Sequence, residues 1–333
     1  MRTAFINALT ERARRDERVM LVTGDLGFGV VTDFARERPH QFVNAGVAEQ
    51  HMTGVAAGLA MSGKIVVTYS IANFPTLRCL EQIRNDVCAH RANVKVVSVG
   101  GGYAYGPLGA SHHATEDLAV MRALPGLMVI APNDPVEARL ATSAMLAHDG
   151  PCYLRLGRAG EPVVHTADID FALGRAIVAR KGSDVTLVAT GGMLATAMAA
   201  ADQLAVANID ARVLSMHTVK PLDRDALATA ARETGALFTL EEHSIVGGLG
   251  SACAELLLEE EVRPVVFRRF GVADGVQRRI GDQGYLRHQA GLEEGLIARR
   301  VLEALDERPA TPRVAARPAA RTWVRTNGVA AER

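Results

Sequence analysis

Short apolar runs alternate with amphipathic segments along the first half of the chain. The runs are rich in β-branched residues and close at Gly, Asp or Ser, which is typical of buried parallel strands. They lie at 18–25, 64–70, 93–100 and 127–134. Segments with helical spacing lie at 49–61, 75–92, 116–123 and 135–148. This alternation predicts βαβ crossovers and a doubly wound parallel sheet with helices on both faces.

A polar connection that contains Gly and Pro follows Arg158 and precedes a second alternation. Its strands are predicted at 184–192, 211–222, 236–243 and 264–272, and its helices at 193–207, 223–234, 248–260 and 292–307. We therefore expect an α/β protein with two doubly wound domains, over residues 1–165 and 172–308. Residues 309–333 are rich in Pro, Ala and Arg without periodicity and are expected to form a disordered tail.

The composition of the chain argues against several classes of function. The 333 residues carry 37 Lys and Arg against 37 Asp and Glu, so neither nucleic acid nor an anionic membrane is the expected partner. The apolar runs are too short to span a membrane, and the start has no signal-peptide h-region, so a cytoplasmic protein is expected. Four cysteines without a CxxC pair favour neither a disulfide framework nor a zinc site, and no metal site is predicted in this chain.

The most informative stretch is FVNAGVAEQHMTGVAAGLAMSG, at 42–63. It combines small residues with one carboxylate, Glu49, at the predicted start of a helix. A carboxylate there is either a partner of the helix dipole or a group held in a dry site. This stretch, together with VVTYSIANFPTLRCLEQIRNDVC (66–88) and GASHHATEDLAVMRALPGLMVIAPNDPVE (109–137), resembles the pyrimidine-binding domain of the transketolase family of thiamine diphosphate enzymes.

The resemblance extends through the second domain. The strings SMHTVKPLD (215–223) and FTLEEHSIVGGLGSACAE (238–255) are similar to the C-terminal domain of that family, and the matching strings follow one another in order over about residues 3–307. Residues 1–165 are thereby identified as a pyrimidine-binding domain and residues 172–308 as a transketolase C-terminal domain. The Gly-rich turn after Glu241, Glu242 and His243 is either an anion-binding helix start or a structural turn.

The resemblance implies roles for individual residues. Glu49 would contact N1′ of the aminopyrimidine and promote the tautomer that deprotonates the thiazolium carbon, which requires a desolvated site. Tyr69 and Phe74 would stack on the pyrimidine. Arg78, which follows on the predicted helix, would line the cofactor pocket or the subunit contact.

Substrate residues are implied on two later loops. His112 and His113 would face the substrate, with His112 also acting in proton transfer. Arg158 would bind a substrate phosphate, because a guanidinium fork matches that anion. Sugar-using members place His where this chain has Gly100 and Asp where it has Leu108, and Tyr103 and Tyr105 could reshape this pocket. The donor and acceptor therefore stay open.

The chain lacks the G-D-G and Asn motif with which full-length relatives hold Mg²⁺ and the diphosphate. The resemblance therefore implies half an enzyme, with an N-terminal transketolase-type subunit that supplies this motif, an α2β2 assembly and self-association of this chain. The expected reaction transfers a two-carbon ketol or acyl unit between a ketone donor and an aldehyde or related acceptor. A 2-oxoacid dehydrogenase E1 β subunit and a non-catalytic scaffold are the alternatives.

Overall fold

A computed structural model describes residues 1–307, so the predicted tail at 309–333 lies outside the described residues. The helices are α1 (Arg2–Arg15), α2 (Thr32–Glu37), α3 (Glu49–Met61), α4 (Leu80–Gln82), α5 (Asp117–Ala123), α6 (Pro135–Ala147), α7 (Leu194–Val206), α8 (Arg224–Thr234), α9 (Leu249–Glu259), α10 (Gln283–Gln289) and α11 (Glu294–Asp306). The strands are β1 (Val19–Thr23), β2 (Phe42–Asn44), β3 (Ile65–Ile71), β4 (Val94–Val99), β5 (Met128–Ile130), β6 (Cys152–Leu156), β7 (Ile177–Arg180), β8 (Val185–Thr190), β9 (Ala211–Ser215), β10 (Thr218–Lys220), β11 (Ala236–Ser244) and β12 (Val266–Val272).

The strands form two sheets, which confirms the predicted class of two doubly wound α/β domains. The first sheet has the order β10-β5-β6-β4-β3-β1-β2, and all its pairs are parallel except β10 with β5. The second has the order β12-β11-β8-β9-β7, with only the β7 edge antiparallel. The connection at 157–176 contains neither helix nor strand.

Each sheet is buried on both faces, as its continuous apolar strands require. In the first domain, α1 and α6 cover one face and α3 and α5 cover the other. In the second, α7 and α11 cover one face, and α8 and α9 cover the other. Because the carboxyl ends of parallel strands meet at one edge, the loops after β1, β3 and β4 are brought together there.

One predicted strand proves to be two. The run at 211–222 contributes β9 to the second sheet and then, after Met216 and His217, contributes β10 to the edge of the first. The peptide N–H of Ala131 donates to the carbonyl of His217 at 2.8 Å, which ties the crossing point to the end of β5. The first domain therefore takes a strand from residues that sequence analysis assigned wholly to the second.

The predicted helix at 75–92 is also irregular. A 3₁₀ turn at Leu77–Cys79 leads into α4, which continues as a π-helical turn at Ile83–Cys88. Such changes of helical pitch are frequent at functional sites. Among residues 1–307, no helix has the length and apolarity required to cross a membrane.

Candidate active site

Glu49 lies in the first turn of α3, where the partial positive charge of the helix favours a carboxylate. Its side chain is 2% exposed. One carboxylate oxygen accepts a hydrogen bond from Arg78 Nη1 at 2.8 Å, and the other lies 3.4 Å from the hydroxyl of Ser70 on β3. Gly24, after β1, leaves room for it, because a Cβ there would lie 3.3 Å from Glu49 Cγ. The structure thus places Glu49 in a dry site with one cation beside it.

Phe74 connects this carboxylate to the loop at 101–113, which carries His112 and His113 and is called the histidine loop below. The guanidinium of Arg78 lies 4.6 Å from the centroid of the Phe74 ring, a cation–π arrangement. On the other side, the His112 ring meets Phe74 edge to face at a centroid distance of 5.2 Å. Four residues predicted from three separate strings, Glu49, Phe74, Arg78 and His112, are therefore contiguous in space.

The state of His112 suits proton transfer. Partial burial lowers the pKa of His112, and the neighbouring His113 lowers it further. Its Nδ1 lies 3.0 Å from the hydroxyl of Ser111, while Nε2 has no hydrogen-bond partner among the residues that the structure describes. The imidazole is thus neutral at neutral pH and leaves one ring nitrogen to act toward a substrate.

Two further side chains continue this series of neighbouring residues beyond His112. The Tyr105 ring lies 6.5 Å from the His112 ring, and the guanidinium of Arg158 lies 5.5 Å from the Tyr105 centroid. We call the six residues together the site row: Glu49, Arg78, Phe74, His112, Tyr105 and Arg158.

Two predicted site residues are placed elsewhere. Tyr69 is 1% exposed and stacks on Phe5 of α1 at 5.8 Å, on the opposite side of β3 from Ser70 and Glu49. His113 is 2% exposed, and its Nε2 lies 3.1 Å from the Gly106 carbonyl inside its own loop. These positions favour packing roles for both, and their cofactor and substrate contacts stay predictions. Tyr103, which packs edge to face on His113, is likewise buried.

The histidine loop is anchored in the second domain, which sequence analysis missed. Gly102 and Ala114 close the base of the loop with two backbone hydrogen bonds of 2.9 Å. The Glu242 carboxylate, 1% exposed, accepts from the Tyr103 N–H at 2.5 Å, and from Arg287 Nε at 2.5 Å. Gln283 Nε2 donates to the same carboxylate at 3.0 Å. A Cβ at Gly102 would lie 2.6 Å from it.

The buried Arg155 also holds the histidine loop in place. It is 1% exposed, and its Nη2 donates to the carbonyls of Ala114 at 2.7 Å and Glu242 at 2.9 Å. Its Nε donates to the buried Asp117 at 2.9 Å, and Tyr153 donates to that same carboxylate at 2.5 Å. Both ends of the histidine loop are therefore fixed by one buried polar network that joins the domains.

The alternatives for the EEH string are now distinguishable. Glu241 accepts hydrogen bonds from the N–H groups of Leu249 and Gly250 at 2.7 and 2.8 Å, at the start of α9. The chain's own carboxylate thus occupies this helix start, which supports the structural turn over an anion site. The signal that sequence analysis could have used is the strand alternation, because adjacent residues of β11 face opposite sides. Glu241 faces α9 and Glu242 faces the histidine loop.

Glu49 and Phe74 also fit one part of a cofactor site. The buried Glu49 and the neighbouring Phe74 match the needs of a flat heterocycle with a protonatable nitrogen. Within residues 1–307, no three His, Cys, Asp or Glu side chains are grouped to hold a metal ion.

Comparison with known proteins agrees with this architecture. The family model for the transketolase pyrimidine binding domain matches residues 1–161, and that for the transketolase C-terminal domain matches residues 174–294. The chain is 40% identical over 309 residues to the 6-deoxy-6-sulfo-D-fructose transketolase subunit SqwH of Clostridium sp. (strain MSTE9), covering 92% of this chain and 95% of that protein. It is 42% identical over 275 residues to an apulose-4-phosphate transketolase subunit of Phocaeicola vulgatus, covering 82% and 87%.

A solved structure described as a split gene transketolase, inactive beta4 tetramer, superposes with a TM-score of 0.83 at 40% identity, covering 92% of this chain and 98% of the other. The protein is therefore a two-domain member of the thiamine diphosphate enzyme class. The chain belongs to the transketolase family.

Proposed function

We propose that this chain is the C-terminal, β-type subunit of a two-component transketolase that transfers a two-carbon ketol unit from a ketone donor to an aldehyde acceptor. The observation that carries the proposal is the dry carboxylate of Glu49 at the head of the site row. The names of the two relatives, both transketolase subunits, favour ketol transfer over the 2-oxoacid dehydrogenase alternative. An intact site row speaks against a non-catalytic scaffold.

Glu49 would activate the cofactor. When bound, thiamine diphosphate supplies the nucleophilic thiazolium carbon for carbonyl chemistry. Glu49 would share a proton with the pyrimidine nitrogen, and this exchange is effective because the side chain is screened from water. Arg78, which is 47% exposed at its side chain, can swing away from Glu49 without leaving a cation buried.

The remaining residues of the site row would orient the reactants. Phe74 would offer a ring edge or face to the pyrimidine. His112 would move a proton at the substrate oxygen through its free Nε2, since its imidazole is neutral at neutral pH. Arg158 would hold an anionic substrate group.

The diphosphate and Mg²⁺ would be held by a second polypeptide, an N-terminal transketolase-type subunit with the G-D-G and Asn motif. The shared site would form where the two chains meet, in an α2β2 assembly in which the β chains also contact each other. We place this enzyme in the cytoplasm, with neither nucleic acid nor membrane among its partners.

The test of Glu49 uses the complex reconstituted with its N-terminal subunit. Glu49→Gln should lower kcat for ketol transfer by about 100-fold or more, the range for loss of a positioned acid or base. Glu81→Gln makes the same change at an exposed site on α4 and should leave kcat within about twofold. Unchanged turnover in Glu49→Gln would remove Glu49 from the mechanism.

The test of the shared site is calorimetric. Thiamine diphosphate and Mg²⁺ are titrated into this chain alone and into the complex. Tight binding only in the complex is expected. Tight metal-dependent binding to this chain alone would contradict the proposed division of the site, and no binding in either case would favour the scaffold.

A further inference from the structure

Tyr105 fills the space that a side chain at position 100 would occupy. Gly100, directly after β4, has φ +96°, and a Cβ built there would lie 2.2 and 2.3 Å from two carbons of the Tyr105 ring. Any other residue at 100 would have to expel the ring and also adopt a backbone conformation that favours glycine. The absence of a side chain at 100 and the presence of Tyr105 are thus one structural feature.

The other side of this ring faces the substrate end of the site row. Tyr105 is half-buried and packs against the first-domain core that contains Phe5 and Tyr69. Arg158 lies over the ring, and its exposed guanidinium has no carboxylate partner within the part of the chain that the structure describes. Arg158 is therefore positioned by the Tyr105 ring and has its charge available.

Resting on the proposed function, we propose that Tyr105 is the specificity-determining residue of this site. Its ring takes the place of a residue-100 side chain and holds Arg158 to receive a terminal tetrahedral oxyanion, a phosphate or a sulfonate, on the substrate. The Tyr105 ring lies between the His112 ring and the Arg158 guanidinium. It therefore sets how far the anionic end of a substrate lies from its reacting carbonyl.

The relatives are consistent with a terminal oxyanion of either kind. One is named for a sugar with a sulfonate and the other for a sugar phosphate. Both groups offer oxygens in the geometry that a guanidinium fork recognises. The proposal therefore concerns the shared oxyanion, and the experiment separates its two sources.

The test compares three aldehyde acceptors of equal carbon length with one ketose donor: D-glyceraldehyde 3-phosphate, the same aldehyde with a terminal sulfonate, and D-glyceraldehyde. Tyr105→Leu should raise KM for the preferred anionic acceptor and lower its kcat/KM by about threefold to tenfold, the value of a cation–π contact. The kcat/KM for D-glyceraldehyde should fall by a smaller factor, because the neutral acceptor has no terminal anion for Arg158 to hold. Tyr105→Phe keeps the ring and should keep the ratio of anionic to neutral kcat/KM.

Two further variants sharpen the test. Gly100→Ala should displace the ring and reproduce the loss, and Gly100→Ala with Tyr105→Leu should be no worse than either alone, because both remove the same contact. Tyr285→Leu makes the matched change at an exposed tyrosine and should alter neither acceptor. Equal losses for anionic and neutral acceptors, or additive losses in the double variant, would overturn the proposal.

A binding measurement keeps the two proposals separable. Inorganic phosphate is titrated into the isolated chain while NMR follows the Nε–H resonance of Arg158. Phosphate should shift this resonance, and Tyr105→Leu should weaken the binding by about threefold or more. No shift in the native chain would overturn the role of Tyr105. Absence of ketol transfer by the native complex, with the shift preserved, would overturn only the proposed function.

Discussion

Replacing Glu242 with Gln tests whether the second domain positions the histidine loop. The native carboxylate, 1% exposed, receives donors from Tyr103, Gln283 and Arg287. The neutral amide keeps one accepting oxygen and points its NH₂ group at donors. Two charge-assisted hydrogen bonds are lost, at about 1.5 kcal/mol each, the low end because the Arg287 side chain is 23% exposed. The expected loss in the free energy of unfolding is therefore about 3 kcal/mol.

The matched control is Glu255→Gln. Glu255 also joins the domains, through Arg122 at 2.7 Å, but its side chain is 57% exposed. An exposed pair of this kind is worth about 0.5 kcal/mol. Urea unfolding followed by far-UV circular dichroism compares the two variants with the native chain, and hydrogen–deuterium exchange follows residues 101–113. A Glu242→Gln variant no less stable than Glu255→Gln, with unchanged exchange in the loop, would refute the anchoring role.

Two more predictions concern buried ionisable groups. The hydrogen bond to Glu137 raises the pKa of His165, so its stabilising contribution is complete below the unfolded pKa of about 6.5 and is lost as pH rises through the folded-state pKa. The difference in unfolding free energy between the native chain and His165→Asn should therefore shrink from pH 6 to pH 9, and a difference that stays constant over this range would contradict this. Burial raises the pKa of all four cysteine thiols, to about 11 for Cys88, so Ellman's reagent should label none in the native chain and four after unfolding; fast labelling of the native chain would contradict this.

Candidate site residues could be predicted from the sequence where the signal lies within one short string. Glu49, Phe74 and His112 each sit in a compact motif, and the structure brings them together. Tyr69 shows the limit of such a motif, because its role at the pyrimidine stays a prediction while the structure packs its ring on Phe5. The two-residue period of β3 sends its ring to the opposite face from Ser70.

Contacts between distant parts of the chain could not be predicted in this way. Glu242 meets the Tyr103 N–H across 139 residues, and no local pattern links the two positions. The crossing of the chain at Met216 and His217 was hidden for a similar reason. An apolar run predicts a strand, but which sheet receives it depends on which edge is left unpaired.

The strand β10 makes the two domains less modular than their sequence suggests. It pairs Thr218 with Ile130 and Lys220 with Val129, and Lys220 Nζ donates to the carbonyls of Arg122 and Leu124. A fragment that stopped at residue 165 would leave the β5 edge open to pairing with other chains. A chimera joined at the linker would graft a foreign edge strand onto the sheet. Exchange of the first domain between relatives thus requires that residues 218–220 and Glu242 be exchanged with it.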